Sequence, residues 1–259
     1  MTVTAKGRRE RIIALGALSA IGEATLRLYA QEGARLVLVG RGNAKPGDER
    51  LKALALDLEA RGAQSAVVWP LELVGCADPR AELARMAGAI GGLDSVLLFY
   101  GALGDHALAE TDMAEARRIL ATNFTSAAEW SMAAADLIEA QNHGSLVVIG
   151  SVAGDRGRQS NYIYGAAKGG LALLVQGLAH RLARCGGRAV VIKPGFVDTP
   201  MTAGLAKGGP LWAKPDAVAR IIKKAAANGS PVVYAPGFWR WIMLAIRATP
   251  SPVFHKTKL

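Results

Sequence analysis

The sequence of 259 residues contains little cysteine and little histidine, and this scarcity limits the sites that it can build. Cys76 and Cys185 supply neither a disulfide framework nor the paired spacing of a zinc site, so they indicate a reducing compartment. The four histidines are scattered along the chain, and we therefore expect no metal centre. No apolar run reaches the length of about 18 residues that a membrane-spanning helix needs.

The basic residues also lack an ordered arrangement, although they give the chain a net charge of +10. They are spread along the sequence, without a stripe on one predicted helix and without a recognised nucleic-acid motif, so we expect no nucleic-acid partner. The charge suits an anionic membrane surface or a phosphorylated substrate. A solvated basic surface that serves only solubility is the alternative.

Basic residues between positions 6 and 11 precede an apolar run, as they do in a secretory signal peptide. Glu23 and Arg27 follow within a continuing helical pattern, and no good cleavage site comes after them. We therefore expect a cytoplasmic protein rather than a secreted one.

Apolar runs rich in β-branched residues alternate with helical patterns from end to end. The predicted strands are 11–15, 35–39, 65–71, 95–100, 145–150, 188–193 and 232–235. The predicted helices are 19–31, 49–61, 79–90, 113–141, 161–184 and 215–228. Because the strands are apolar throughout, we expect one Rossmann-type α/β domain over residues 1–259, with a doubly wound, parallel, seven-stranded sheet and helices on both faces.

A glycine-containing turn follows the first predicted strand. Gly16 begins it, Ser19 and Ile21 follow, and Gly22 lies in the first turn of the predicted helix. Glycines at such a turn let the backbone approach a pyrophosphate, which then rests on the helix N-terminus. Ala20 stands where many nucleotide-binding turns have another glycine, so the motif alone is weaker than G-x-G-x-x-G.

Tyr164 and Lys168 lie four residues apart on a predicted helix and therefore project from one face. An ammonium beside a phenol favours the phenolate, so we expect the pKa of Tyr164 to fall toward the working pH. Ser151 supplies a hydroxyl that can donate to a carbonyl oxygen. These side chains suit the interconversion of a ketone and an alcohol, for which the hydride must come from a cofactor.

Together these motifs resemble the short-chain dehydrogenase/reductase family over nearly the whole chain. The resemblance rests on Gly16-x-x-Ser19-x-Ile21-Gly22, Asn123, Ser151, Tyr164-x-x-x-Lys168 and Pro194-Gly195, in the family's order. It implies that Ser151 orients and polarises the substrate carbonyl and that Tyr164 is the acid or base. It also implies that Lys168 lowers the pKa of Tyr164 and holds the cofactor ribose, while Asn123 keeps a water in the proton relay.

The same resemblance assigns further residues to the cofactor. These residues are Glu72, Leu73, Tyr100, Gly101, Pro194, Gly195, Val197 and Thr199. Glu72 stands where the family often has an aspartate that meets the adenine, and only Gly101 survives from its usual Asn-Asn-Ala-Gly segment. Val197 and Thr199 belong to a segment that holds the nicotinamide amide.

The end of the second predicted strand indicates the choice of cofactor. An acid there would bind the 2′-hydroxyl of NAD, but this chain has Gly40 followed by Arg41. A guanidinium without that acid favours the 2′-phosphate of NADP, so we expect NADP(H). NAD(H) stays usable if Arg41 instead stacks on the adenine or faces solvent.

A narrower resemblance within the family is to reductases of a polyprenyl-phosphate-linked 2-keto-pentose. It rests on residues 100–105, on residues 150–162, on the tail from Val233 to Phe254 and on the glycine-containing turn. Residues 237–259 form an apolar and basic C-terminal segment. This narrower resemblance implies a lipid-linked sugar substrate, a flavin oxidase partner that makes the ketone, and a place in arabinose biosynthesis for the cell envelope. A soluble carbonyl or 3-ketoacyl reductase and a non-catalytic nucleotide-binding scaffold are the alternatives. The family also implies a homodimer or homotetramer built on helices 113–141 and 161–184.

The C-terminal segment contains a short, strongly apolar helical pattern that starts near Trp239 and is flanked by basic residues. It is too short to span a bilayer, but tryptophan and basic residues suit the surface of an anionic membrane. Peripheral contact with the inner face of the cytoplasmic membrane is therefore one expectation. Packing over the substrate cleft or in a dimer interface is the other.

Overall fold

Strands and helices alternate along the chain in a computed structural model that describes residues 9–41, 49–204 and 208–257. The strands are β1 (Arg11–Leu15), β2 (Arg35–Gly40), β3 (Ser65–Pro70), β4 (Ser95–Leu98), β5 (Gly144–Ile149), β6 (Gly187–Pro194), β7 (Phe196–Val197), β8 (Trp212–Ala213) and β9 (Val232–Ala235). The helices are α1 (Ala20–Ala30), α2 (Arg50–Ala60), α3 (Pro79–Ala89), α4 (His106–Thr111), α5 (Met113–Leu120), α6 (Ser126–Gln141), α7 (Tyr162–Leu182), α8 (Pro215–Asn228), α9 (Trp239–Ala248) and α10 (Ser251–Phe254). Predictions that concern residues 1–8 and 258–259 lie outside the described residues.

Seven strands form one parallel sheet in the order β3-β2-β1-β4-β5-β6-β9, and β7 and β8 form a small parallel ribbon. Leu15, at the end of β1, lies beside Val39 on one side and Leu98 on the other. The chain winds outward in both directions from β1 and β4, and a doubly wound sheet opens a ligand crevice at this switch point. The predicted fold class is confirmed.

Two apolar layers cover the sheet, because successive side chains of a strand point to opposite faces. Ile13 and Leu15 pack with α3, α6 and α7 on one face. Ile12 and Ala14 pack with α1, α2 and α8 on the other. The strands are therefore buried on both sides, which explains their unbroken apolar sequence.

The helical pattern of residues 113–141 forms two helices rather than one. A π-helical turn, Ala121–Thr125, separates α5 from α6. The short helices α4 and α10 were not predicted, whereas α9 confirms the apolar helical pattern near Trp239. Within the described ranges, no helix is long and apolar enough to cross a membrane.

Candidate active site

A large cleft opens beyond the carboxyl ends of the central strands. Its volume of about 1650 Å³ exceeds the roughly 300–1,000 Å³ of most ligand pockets, so it has room for a dinucleotide and a substrate. Most predicted site residues line it: Gly16, Ser19, Ile21, Arg41, Glu72, Leu73, Tyr100, Gly101, Ser151, Tyr164, Lys168, Pro194, Gly195, Val197 and Thr199. Gly22 and Asn123, the other two, are buried behind its wall.

The turn from β1 into α1 brings backbone to the cleft. Gly16 has a φ of 81°, and a Cβ there would lie 2.7 Å from the Cβ of Tyr100, so only glycine suits the position. Its amide donates to the carbonyl of Val39 at 2.9 Å. Ser19 caps α1 by accepting from the amide of Gly22 at 3.3 Å. A turn that brings backbone to the cleft at Gly16 and leads into a helix N-terminus fits the pyrophosphate of a dinucleotide.

Gly22 and Asn123 shape the cleft from behind. A Cβ on Gly22 would lie 3.2 Å from the ring of Phe99, so this glycine lets α1 approach the end of β4. Asn123 accepts from the amide of Ala102 at 3.1 Å, and its Nδ2 donates to the carbonyls of Ala102 and Ile119. The side chain of Asn123 is therefore committed to the backbone and fixes the loop after β4. Its part in a proton relay stays a prediction.

Ser151 is held against α7 by small residues. Its Oγ accepts from the amide of Ala153 at 3.1 Å, at the start of the turn that follows β5. A Cβ on Gly154 in this turn would lie 2.5 Å from the amide nitrogen of Gly169 on α7. This close approach brings the hydroxyl of Ser151 near that of Tyr164, where it favours the phenolate. Gly154 and Gly169 belong to no motif that predicts this contact, and in the sequence only the recurrence of glycine before and after Tyr164 indicates it.

Burial, rather than the neighbouring ammonium, controls the pKa of Tyr164. That pKa rises from 10.0 to about 12 because burial disfavours the phenolate, and the neighbouring hydroxyl of Ser151 opposes part of the rise. Lys168 Nζ lies 5.9 Å from the centre of the Tyr164 ring and donates to the carbonyl of Ile149 at 3.0 Å. The expectation of a lowered Tyr164 pKa is therefore wrong for this arrangement, and Tyr164 keeps its proton at neutral pH.

Lys168 is also governed by burial, since it is only 3% exposed. Burial lowers its pKa from 10.5 to about 8. A Cβ on Gly101 would lie 3.2 Å from Lys168 Nζ and 2.9 Å from Asn123 Oδ1. Gly101 therefore allows the loop after β4 to contact both side chains, and three residues predicted from separate motifs meet at one point.

The ends of β2 and β3 bring charged residues to the cleft. Arg41 and Arg50 both line it here, and residues 42–48 lie outside the described residues. Glu72 accepts from the amide of Val74 at 3.3 Å. This end of the cleft is consequently basic, which suits a phosphorylated ribose.

The C-terminal segment forms another wall through a residue that sequence analysis did not assign to the site. Trp239, at the start of α9, lies so close to Gly195 that a Cβ there would be 1.9 Å from the indole. Trp239 and Met243 pack on Val152, next to Ser151. The segment therefore packs on the cleft, which was one of the two expectations for it.

Buried polar contacts fasten this segment to the Ser151 turn. Asp155 forms an ion pair with Lys193 and accepts from the hydroxyl of Tyr234 at 2.7 Å. Arg156 donates to the carbonyl of Thr249 at 2.6 Å, just after α9. In the sequence, only the adjacent charged residues Asp155 and Arg156 indicate these contacts.

Known proteins share the sequence pattern and the fold. A sequence model of the family described as short chain dehydrogenase matches residues 10–208. An uncharacterized oxidoreductase in the mprA 5′ region of Streptomyces coelicolor is 37% identical over 259 residues, which cover 99% of each chain. Cis-4-hydroxycyclohexanecarboxylate dehydrogenase of Sinomonas cyclohexanicum is 34% identical over 200 residues, which cover 76% of this chain and 77% of that one. A solved structure of ElxO with NADP bound has a TM-score of 0.77 at 18% identity, over 90% of this chain and 100% of the other.

The family match covers most of the chain, and the Streptomyces relative aligns from end to end. The glycine turn, Ser151 and the Tyr164–Lys168 pair meet in one cleft of a doubly wound sheet, as the order of the motifs implied. This chain therefore belongs to the short-chain dehydrogenase/reductase family and is an oxidoreductase that uses a nicotinamide nucleotide.

Proposed function

We propose that the protein is an NADP(H)-dependent reductase that converts the keto group of a lipid-linked 2-keto-pentose into an alcohol. The observation that carries this proposal is α9, which packs one face on the cleft and leaves large apolar side chains exposed on the other. The C-terminal segment and the Ser151 segment also resemble those of decaprenylphosphoryl-2-keto-β-D-erythro-pentose reductase. That enzyme acts after a flavin oxidase has made the ketone.

We assign the proton transfer to Tyr164 and Ser151. The nicotinamide nucleotide supplies the hydride when it is bound. Tyr164 has a proton to give, because its pKa of about 12 keeps it neutral, and it donates that proton to the oxygen of the ketone. Ser151 Oγ accepts from the amide of Ala153, and its own proton, which favours the phenolate of Tyr164 in the free protein, turns to the same oxygen once the ketone is bound. Two hydroxyl donors then stabilise the developing alkoxide.

Lys168 supports the tyrosine after the proton has left. One proton of its ammonium is donated to the carbonyl of Ile149, and the other two are available to the ribose hydroxyls of the nucleotide. With a pKa of about 8, Lys168 is mainly charged at neutral pH, and a cation near the ring lowers the cost of the phenolate that proton donation leaves on Tyr164.

The preference for NADP(H) rests on the basic end of the cleft. Arg41 follows Gly40, where an acid would favour NAD, and Arg50 lines the same end. A guanidinium binds a phosphate ester by charge-assisted hydrogen bonds, which a ribose hydroxyl does not offer. ElxO, a protein of the same fold, binds NADP.

The exposed face of α9 suits contact with a lipid surface. Phe238, Trp241 and Leu244 are spaced three residues apart, so they share one face, and Trp241 is 65% and Leu244 55% exposed. Arg240 and Arg247 lie on the same helix. Tryptophan and arginine are the residues expected at an anionic membrane surface. A polyprenyl chain that leaves the cleft beside α9 would meet this face, so we propose peripheral contact with the cytoplasmic membrane.

The test of this surface is a double variant, Trp241→Asp with Leu244→Asp. Because both side chains are exposed, we expect the fold to survive, while binding to phosphatidylglycerol vesicles and turnover of a lipid-linked ketone both fall. Leu56→Asp is the matched control, since Leu56 is 68% exposed on α2. Equal vesicle binding and equal lipid-linked turnover in the two variants would contradict the proposal.

A second candidate is a dehydrogenase or reductase of water-soluble cyclic substrates. It is favoured by the Sinomonas relative, whose name describes a ring that bears a hydroxyl and a carboxylate. Efficient turnover of soluble ketones without lipid would support this candidate. A non-catalytic scaffold, the third possibility, predicts no turnover of any ketone and is disfavoured by the contact between Ser151 and Tyr164.

We also propose a homodimer or homotetramer built on α5, α6 and α7. These helices expose large apolar side chains, namely Met113, Leu120, Met132 and Leu173. Light scattering should report an oligomer for the wild type and a smaller species for Leu173→Asp. A monomeric wild type would contradict this assembly.

The flavin oxidase partner is proposed from the resemblance alone, and a coupled assay of the two enzymes would test it.

A further inference from the structure

A second basic position in the cleft lies beside the Ser151 turn. Arg158 follows that turn and precedes α7, it is half-buried, and it lines the cleft. Its hydrogen bond, from Nη2 to the carbonyl of Val152, is long at 3.5 Å. Arg158 therefore lies beside Val152, the residue after Ser151, in the part of the cleft where the ketone is expected.

The guanidinium of Arg158 has no anionic partner in the described part of the chain. The negative charge of Asp155 favours the charged form of Arg158 electrostatically. The carboxylate of Asp155, however, binds Lys193 and the hydroxyl of Tyr234. Arg158 Nε is buried without a hydrogen bond, while Nη1 is neither buried nor hydrogen-bonded among those residues. Burial lowers the pKa of Arg158, which reflects the cost of withdrawing this cation from water without a counter-ion.

Two further polar atoms without partners belong to residues that line the same cleft. Trp239 Nε1, a donor, and Asn161 Oδ1, an acceptor, are both buried without a hydrogen bond among the described residues. Trp239 packs on Val152, whose carbonyl Arg158 approaches. Buried polar atoms are normally satisfied, so the two unsatisfied donors, Arg158 Nε and Trp239 Nε1, indicate a ligand that offers acceptor oxygens, whereas Asn161 Oδ1 needs a donor such as a hydroxyl.

We propose that Arg158 binds an oxyanion carried by the keto substrate, a carboxylate or a phosphate ester, with the indole N–H of Trp239 as a second donor to that oxyanion. This inference rests on the proposed keto reduction and deepens it, because it makes the substrate an anionic ketone. The anion is bound near Ser151, so it holds the carbonyl in reach of the Ser151 and Tyr164 hydroxyls.

The test compares matched neutral and anionic ketones with wild type and Arg158→Gln. Cyclohexanone is paired with 4-oxocyclohexanecarboxylate, and ribulose with ribulose 5-phosphate. We expect Arg158→Gln to lower kcat/KM for the anionic member by about 10- to 100-fold, the range of a hydrogen bond to a charged group. The neutral member should change less than about threefold. Arg85→Gln, which removes an exposed arginine on α3, is the matched control and should change neither.

The two anionic ketones identify the source of the charge. A larger fall in kcat/KM for ribulose 5-phosphate than for 4-oxocyclohexanecarboxylate in Arg158→Gln indicates a phosphate ester. Equal effects of Arg158→Gln on neutral and anionic ketones would overturn the subsite while leaving keto reduction in place. If the wild type reduces no ketone, the proposed function fails, and calorimetry with the NADP-loaded protein then decides the subsite. Binding of ribulose 5-phosphate or 4-oxocyclohexanecarboxylate that is lost in Arg158→Gln would support it. Undiminished binding in the variant, or no binding to the wild type, would refute it.

Discussion

Two walls of the cleft are built in opposite ways. The nucleotide wall, from β1 to the start of α1, depends on the absence of side chains, because Gly16 has no room for a Cβ. The tail wall, made by Trp239 and the Ser151 turn, depends on large side chains that meet from distant parts of the sequence, and Gly154 and Gly195 make room for them. An added methyl group at Gly16 should therefore damage the first wall, and the removal of a large side chain such as Trp239 should damage the second.

The largest effect is expected between the walls, at Tyr164. Tyr164→Phe removes the proton donor and keeps the ring, so turnover of a ketone should fall by about 10³-fold or more, within the range of general acid catalysis. Binding of NADPH, measured by its fluorescence, should stay near the wild-type value. An active Tyr164→Phe variant would remove the tyrosine from the mechanism.

The tail wall is tested by removing atoms. Trp239→Ala empties a buried site, and we expect it to lower the free energy of unfolding by about 3 kcal/mol or more and to reduce turnover. Trp241→Ala, on the same helix, should change the free energy of unfolding by less than about 0.5 kcal/mol, because Trp241 is 65% exposed. Urea denaturation measures both, and similar losses in the two variants would show that the tail does not belong to the wall.

The nucleotide wall is tested by adding one methyl group. Gly16→Ala combines a positive φ with a contact on Tyr100, so it should cost about 1–3 kcal/mol of stability and weaken NADPH binding. Gly177→Ala is the control, since a Cβ there meets nothing within 4 Å and alanine favours the helix interior. Thermal melts with and without NADPH compare the two. A Gly16→Ala protein that binds NADPH as tightly as the wild type would contradict the backbone account of this wall.

A smaller effect should appear in the pH dependence of stability. The pKa of Lys168 is about 8 in the folded protein and 10.5 in its ordinary state, so between these values the unfolded chain binds more protons. The free energy of unfolding should therefore rise with pH, by about 1–2 kcal/mol between roughly pH 7.5 and 9.5. Lys168→Met should lack this rise in urea titrations. The raised pKa of Tyr164 acts in the opposite direction only above about pH 10. A parallel rise in Lys168→Met would assign the effect to another group.

The difference between the walls also explains what the sequence could predict. Gly16 and Ser19 act through neighbours in the same turn, so a local pattern revealed their placement. The Asp155–Tyr234 contact joins residues 79 positions apart, and no periodicity reports it. The Tyr164–Lys168 spacing predicted that the two residues are neighbours, but it carries no information on burial, which reversed the expected shift of the Tyr164 pKa.

The helix predicted over 113–141 failed for a related reason. Its apolar pattern continues through the break, and the π-helical turn coincides with Asn123, whose side chain binds the backbone of Ala102 and Ile119. A contact with a loop that lies earlier in the chain is invisible to helical periodicity. The strands were predictable because burial on both faces requires apolar residues at every position.

The central claim is that this cleft reduces an anionic, lipid-linked ketone with NADPH. The most direct measurement follows cofactor oxidation at about 340 nm, where the reduced nicotinamide absorbs. NADPH and NADH are compared with a polyprenyl-phosphate 2-keto-pentose beside the soluble ketone pairs. We predict oxidation of NADPH in preference to NADH, with the lipid-linked sugar turned over best and neutral soluble ketones worst. Equal or better turnover of neutral soluble ketones would contradict the account and leave the tail with a packing role alone.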